Sequence, residues 1–427
     1  MPQLPYHDAF LKILEEELLP AMGCTEPIAI AFAAAHAQKL LACEPDSCLL
    51  EVSGNIIKNV KSVTVPNTGG LKGLEAAAAA GIISSQPELQ LEVLSRITPD
   101  EIRAMQALLA RQIIRIVPAE NGKIFYIKVT LTASGHSAVC EITDAHTNIT
   151  LLQRDGETLL CDSGCADVQS SYETDRSVLS IERIVAFIDA VDAELLRPSV
   201  GRQIAYNTAI SEAGLAGGWG AEVGLSVLRM HPEGDLAAKA CAVAAAGSDA
   251  RMSGCDKPVV IVSGSGNQGI TASMPVVTYA KALGADEALT LRAVALADLV
   301  TIHQKTSIGR LSAFCGAVSA GCGAAAGIAY LYGGRYDVIA HTIANTLAIC
   351  SGMICDGAKP SCAAKISSAI DAAILGFEMF QRGHEFYGGD GILSKGIENT
   401  ISNVGKLGRE GMKETDKKIL EIMTSDQ

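Results

Sequence analysis

Three cysteines toward the end of the chain carry the strongest chemical signal. They are Cys315 in Phe314-Cys315-Gly316, Cys355 in Ile354-Cys355-Asp356-Gly357, and Cys362 in Pro360-Ser361-Cys362. Another cysteine, Cys24, stands far upstream in Met22-Gly23-Cys24-Thr25-Glu26-Pro27. Thiolates are the ligands of iron–sulfur clusters. Three of them could hold three corners of a [4Fe–4S] cube and leave one iron open as a Lewis acid, which suits chemistry better than electron transfer. The competing reading is burial, since Cys is among the most buried residue types. Cys322 and Cys350 are rival ligands that spacing alone does not exclude, and no C-x2-C pair of the zinc-finger kind is present.

Cys24 lies just ahead of a predicted helix, Glu26 to Leu41, with Thr25 as its expected cap and Pro27 in its first turn. A helix N-terminus favours the thiolate and can bring a thiol pKa to about 3.5–7.5. Cys24 therefore reads as a catalytic base, with a fourth cluster ligand and plain packing at a turn as alternatives. The glycine loop Ser263-Gly264-Ser265-Gly266-Asn267-Gln268-Gly269 follows the apolar run 259–262. Its backbone N–H groups, with Ser265 and Asn267, can cradle an anion such as a substrate carboxylate. An ordinary turn is the alternative, and the βαβ setting of a dinucleotide fingerprint is missing. Asn67 and Thr68 sit at a loop tip after a predicted strand. His303 and Lys305 precede Cys315 and could bind a carboxylate or transfer a proton. His341 reads as a helix neighbour, and 387–391 either closes over the site or is an ordinary turn.

The elements that must position these groups fall into an α+β arrangement. An apolar face over 8–19 and an Ala-rich run to Leu41 predict two helices, with 1–45 packing on a later helical domain. Residues 46–170 form an α+β domain. Strands are expected near 49–53, 62–65, 91–94, 125–131, 138–142 and 149–152, with helices over 73–83 and 99–112. Residues 162–176 read as a polar loop. From 171 to 427 the chain is a large helical domain rich in Ala and Gly, ending in a charged, exposed helix over 411–423.

Composition narrows the function classes. The 427 residues carry 34 basic and 47 acidic side chains, a net charge of −13. That balance argues against nucleic acid or an anionic membrane as partner. Mean hydropathy is +0.27, but Gly and Ala supply much of it. The uncharged stretch 311–334 is long enough to span a bilayer, yet its glycines and alanines make it a packed interior helix. No export signal is read at the start. Thirteen cysteines without one point to reduced thiols and a cytoplasmic location rather than a disulfide framework.

Gly-Cys-Thr-Glu-Pro at 23–27, Val65-Pro66-Asn67-Thr68, Lys305-Thr306-Ser307-Ile308-Gly309 and the Cys315/Cys355/Cys362 set together resemble the iron–sulfur L-cysteine desulfidase family. That family is related to the α-subunit of iron–sulfur L-serine dehydratases, which the segments 322–327 and 333–334 also resemble. The resemblance implies a [4Fe–4S] cluster on Cys315, Cys355 and Cys362. It further implies β-elimination from a small L-amino acid, cysteine or serine, with no pyridoxal phosphate. It favours Lys305, Asn67 and Thr68 as site residues. The Cys355–Cys362 spacing is shorter than in the dehydratases. A non-catalytic iron–sulfur or metal-binding sensor is the reading from another class. The oligomeric state, a homo-oligomer included, stays open.

Overall fold

The computed structural model describes residues 6–161, 174–309 and 311–425. The expected polar loop at 162–176 lies largely outside them. The fold is α+β.

The strands are β1 (Pro20–Met22), β2 (Ser47–Val52), β3 (Ile114–Pro118), β4 (Tyr126–Ala133), β5 (His136–Thr143), β6 (Ile149–Arg154), β7 (Glu157–Cys161) and β8 (Pro258–Val260). The first helices are α1 (His7–Glu17), α2 (Thr25–Leu41), α3 (Gly54–Val60), α4 (Gly73–Ser84) and α5 (Pro99–Ala110). The rest are α6 (Ile181–Ala190), α7 (Ala193–Leu196), α8 (Arg202–Leu215), α9 (Val223–Met230), α10 (Leu236–Met252), α11 (Gly266–Leu283), α12 (Glu287–Ile308), α13 (Gly316–Leu331), α14 (Tyr336–Cys350), α15 (Cys362–Gln381), α16 (Ile397–Lys406) and α17 (Lys413–Thr424).

Six strands form one sheet in the order β3-β2-β4-β5-β6-β7, antiparallel except for the parallel β2–β3 pair. Alternation in β4 buries Ile127, Val129 and Leu131, and their partners Ile142, Cys140 and Ala138 on β5 are buried too. Against expectation, 62–65 contributes only an isolated bridge from Thr64 to Lys72, and 87–92 is a 3-10 helix. Burial of the adjacent Val93 and Leu94 together with Leu91 breaks the alternation a strand would need.

The N-terminal helices divide. α1 packs on the helical part, where Phe10 meets Phe187 with ring centroids 5.0 Å apart. α2 does not follow it, as had been expected. It lies on β4 and β5 with α4 on its other side. A helix apolar all round needs cover on all sides, and a sheet face and an Ala-rich helix supply it. α4 comes so close that a Cβ on Gly81 would stand 2.1 Å from the carbonyl oxygen of Ala31.

Small residues also assemble the helical part. α13 is buried throughout from Ala317 to Tyr330. A Cβ on Gly323 would lie 2.3 Å from the Ala297 carbonyl oxygen of α12, and one on Gly321 would lie 2.9 Å from that of Ala369 on α15. Among the described residues no helix is long and apolar enough to cross a membrane. α17 is not simply exposed, because Asp416 pairs with buried Lys58 on α3.

Candidate active site

Four long helices point their N-termini at one cavity of about 120 Å3. Cys24 is the residue before α2, Ser265 the residue before α11, Cys315 the residue before α13, and Cys362 the first residue of α15. All four line the cavity. Each helix start presents unsatisfied N–H groups and the positive end of its dipole, so the fold builds a positive field where the thiols meet. Among the described residues Lys58, Arg251, Lys305 and Lys365 also line it, against a single acidic side chain, Glu26.

The backbone explains how distant cysteines come together. Phe314 and Ile354 form an antiparallel bridge. The Cys315 N–H donates to the Met353 carbonyl at 3.1 Å, and the Cys355 N–H donates to the Ala313 carbonyl at 2.6 Å. The turn from Cys355 to α15 then returns Cys362, whose thiol faces the Gly357 carbonyl at 3.7 Å. Cys362 also packs against the small cluster of Cys24, Val63 and Met252. Cys315, Cys355 and Cys362 sense one another: burial, then the neighbouring Cys355, push the Cys315 thiol up to about 12, and Cys362 adds to the effect. The rivals Cys322 and Cys350 do not line the cavity. Both are buried between helices, and each is held up as a thiol chiefly by burial.

All twelve described cysteines are free. Among the described residues no three His, Cys, Asp or Glu groups close in on a point as ligands of one metal ion. The chemistry of the Cys315/Cys355/Cys362 set, three soft sulfur donors on one cavity wall with cations beside them, fits an iron–sulfur group in kind.

Cys24 differs from the sequence expectation. Burial raises its pKa, the Glu26 charge raises it further, and Arg251 only partly offsets both. Desolvation here outweighs the helix N-terminus. Its Sγ–H donates to Glu26 Oε2 at 3.3 Å. Thr25, expected as the cap, is the first helical residue. Its hydroxyl faces Glu26 Oε2 and the Gly264 carbonyl, each at 3.0 Å, which ties α2 to the glycine loop. Asn59 Nδ2 donates to Glu26 Oε1 at 3.0 Å.

Ser265, Asn267 and Lys305 line the cavity as expected residues. The glycine loop is shorter than the sequence suggested, because α11 already begins at Gly266. Burial lowers the Lys305 ammonium to about 8, and Cys355 and Cys315 work against that shift.

Asn67 and Thr68 are not brought to the cavity. Asn67 Nδ2 donates to the Leu94 carbonyl at 2.9 Å, and the Thr68 hydroxyl to the Val65 carbonyl at 2.7 Å. They shape a turn whose Pro66 abuts Gly23. His303 is engaged with Glu398 at 2.7 Å, and His341 stacks on Phe380 and pairs with Glu385.

Sequence reading missed Arg251, Gln268, Lys58, Asn59 and Lys365, all of which line the cavity. For Arg251 a signal existed: it is the only arginine of the Ala-rich helix α10, near an end that is buried. Lys365 carries its charge because the Asp356 ion pair and neighbouring thiols outweigh burial.

Comparison with known proteins shows the family. A family model described as serine dehydratase alpha chain matches residues 88–421. A UPF0597 protein of Desulfitobacterium hafniense is 52% identical over 418 residues, covering 98% of this chain and 97% of the relative. UPF0597 proteins of Lachnoclostridium phytofermentans and Treponema denticola are 46% and 43% identical, with 97% and 98% of this chain and 98% of each relative covered. The helical cysteines, the glycine loop and Lys305 all fall inside the matched region, and the chain belongs to the serine dehydratase α-chain family.

Proposed function

We propose that the protein is a β-eliminating carbon–sulfur lyase that converts L-cysteine and water to pyruvate, ammonia and hydrogen sulfide. The observation that carries this reading is the meeting of Cys315, Cys355 and Cys362 with Cys24 on one cavity at four helix N-termini. Cys315, Cys355 and Cys362 would hold a [4Fe–4S] cluster. When bound, that group supplies Lewis-acid chemistry for departure of the β-substituent.

The chain's own residues account for binding and proton handling. The glycine loop with Ser265 and Asn267 receives the end of the amino acid that carries the α-ammonium and α-carboxylate. Cys24 Sγ passes its proton to Glu26 Oε2, along the existing hydrogen bond, and then takes the Cα proton. The electron pair of the Cα–H bond forms the Cα–Cβ double bond as the Cβ–S bond breaks, and sulfur leaves with that bond's pair. The aminoacrylate tautomerises to an imine, and water hydrolyses it to pyruvate and ammonia. Lys305 Nζ, whose pKa burial brings down to about 8, can hold or release a proton near neutrality for the leaving group. Near-complete burial of Cys24, Glu26 and Lys305 keeps bulk water from these groups.

L-Serine is the second reading, favoured by the family description as serine dehydratase alpha chain. The same residues serve, with water leaving in place of hydrogen sulfide. The test is anaerobic reconstitution with iron and sulfide, followed by pyruvate and sulfide measurement with each amino acid. Pyruvate with sulfide from cysteine supports the first reading. Pyruvate from serine alone supports the second. A bound cluster with turnover of neither supports the sensor.

A further inference from the structure

Arg251 is 3% exposed, and its Nε has no hydrogen-bond partner among the described residues. Among the described residues it has no ion-pair partner, and Glu26, the one acidic side chain they place on the cavity wall, accepts instead from Cys24, Thr25 and Asn59. On residues that line the same cavity, the amide oxygens Asn267 Oδ1 and Gln268 Oε1 are buried and also lack donors among the described residues. A buried polar atom without a partner costs stability. Three such atoms, on residues that all line one cavity, a cationic donor and two acceptors, define the guest that would satisfy them. It must bring an anion and a group rich in N–H donors.

Packing holds this constellation in place. Gly266 lies so close to Arg251 that a Cβ there would stand 2.4 Å from Nε. A Cβ on Gly316, the residue after Cys315, would stand 2.7 Å from Gln268 Cδ. Backbone without side chains at these two points leaves room for both groups. Cys24 packs on Met252, the residue after Arg251.

We propose that Arg251 binds the α-carboxylate, and Asn267 and Gln268 the α-ammonium, of a zwitterionic α-amino acid. The guanidinium fork suits a carboxylate, and amide oxygens accept from an ammonium. The side chain of the amino acid is then directed by its backbone groups, which places its Cα toward Cys24. This assignment rests on the lyase reading only for which end reacts.

The test uses the full-length protein and ligands that lack a leaving group. L-Alanine keeps both charged ends, L-alaninamide lacks the carboxylate and L-lactate lacks the ammonium. Binding is measured by titration calorimetry and by competition with L-cysteine turnover in the reconstituted enzyme. Wild type should bind L-alanine at least 10-fold more tightly than either analogue. Arg251→Gln should lose at least 10-fold for L-alanine and little for L-alaninamide, with Arg251→Lys between. Gln268→Ala should weaken L-alanine more than L-lactate. Thermal unfolding of each variant checks that it is folded, and the analogue series on wild type gives the answer without any variant. Equal affinity for the three ligands, no binding of L-alanine, or equal losses for all ligands in Arg251→Gln would overturn the assignment. Cysteine turnover that L-alanine does not compete with defeats it while leaving the lyase standing. L-Alanine binding with the expected pattern, but no turnover, does the reverse.

Discussion

Gly266 packs directly beneath the guanidinium of Arg251, with no space for a methyl group between them. Alanine at 266 should gain up to about 1 kcal/mol of helix propensity. Overpacking against Arg251 and Val259 should cost about 1–3 kcal/mol. The net expectation for Gly266→Ala is destabilisation, read as a lower urea midpoint. An unchanged or raised midpoint would show that Arg251 swings away freely.

The thiol set makes a sharp prediction. Ser substitution of Cys315, Cys355 or Cys362 should each abolish the visible absorbance and iron content of the reconstituted protein. Cys322→Ala and Cys350→Ala should retain both, since neither thiol lines the cavity. Iron retained in the first group and lost in the second would reverse the ligand assignment.

Cys24 separates base from ligand. Cys24→Ser should keep the iron content and lose pyruvate formation by at least 100-fold, the scale of a missing general base, about 10²–10⁴. Loss of iron in this variant would make Cys24 a fourth ligand. Full activity would leave it a packing residue beside Val63 and Met252.

Asp298, fully buried in α12, predicts a pH effect on stability. Its Oδ1 accepts from Gln203 Nε2 at 2.9 Å, and Oδ2 has no partner among the described residues. Burial raises its pKa well above the ordinary carboxylate value. Between the unfolded and folded pKa values the folded state binds more protons, so this group's contribution falls as pH rises above about 4. Asp298→Asn should flatten that decline and stabilise the protein near neutrality, measured by denaturant unfolding across pH. A steeper decline in the variant would contradict the assignment of a protonated Asp298.

The C-terminal helix is tied to the site through Lys58, which is 2% exposed and paired with Asp416. Asp416→Ala leaves a buried ammonium without its carboxylate, a loss of up to about 3–5 kcal/mol. Hydrogen exchange should speed up in α17 and α3 before the rest of the chain. Exchange unchanged in both helices would mean that Leu420 on Gly54, not the ion pair, holds the dock.

Much of the local structure was legible from residue patterns. Thr98-Pro99-Asp100-Glu101 announced a capped helix, and the capping box is formed, with the Glu101 N–H on the Thr98 hydroxyl at 3.3 Å. Alternation gave β4 and β5. Short elements escaped: β3, β7 and α3 have too few residues for periodicity to stand out. The stretch 91–94 misled because its apolar run fits a strand and a buried turn equally well.

For the site, the sequence by itself determined the donors: sulfur at 24, 315, 355 and 362, a glycine loop at 263–269, and a lysine at 305. Local patterns also set the helices that those residues precede. Tertiary structure alone decided which helix ends meet. It brought Arg251, Gln268 and Glu26 to the cavity and left Asn67 and Thr68 outside it. It also turned Cys24 from an expected thiolate into a hydrogen-bonded thiol. The reason is physical: capping and periodicity act within a few residues, whereas the approach of α13 to α12 and α15, and the desolvation of a thiol or a guanidinium, depend on close packing between segments far apart in the chain.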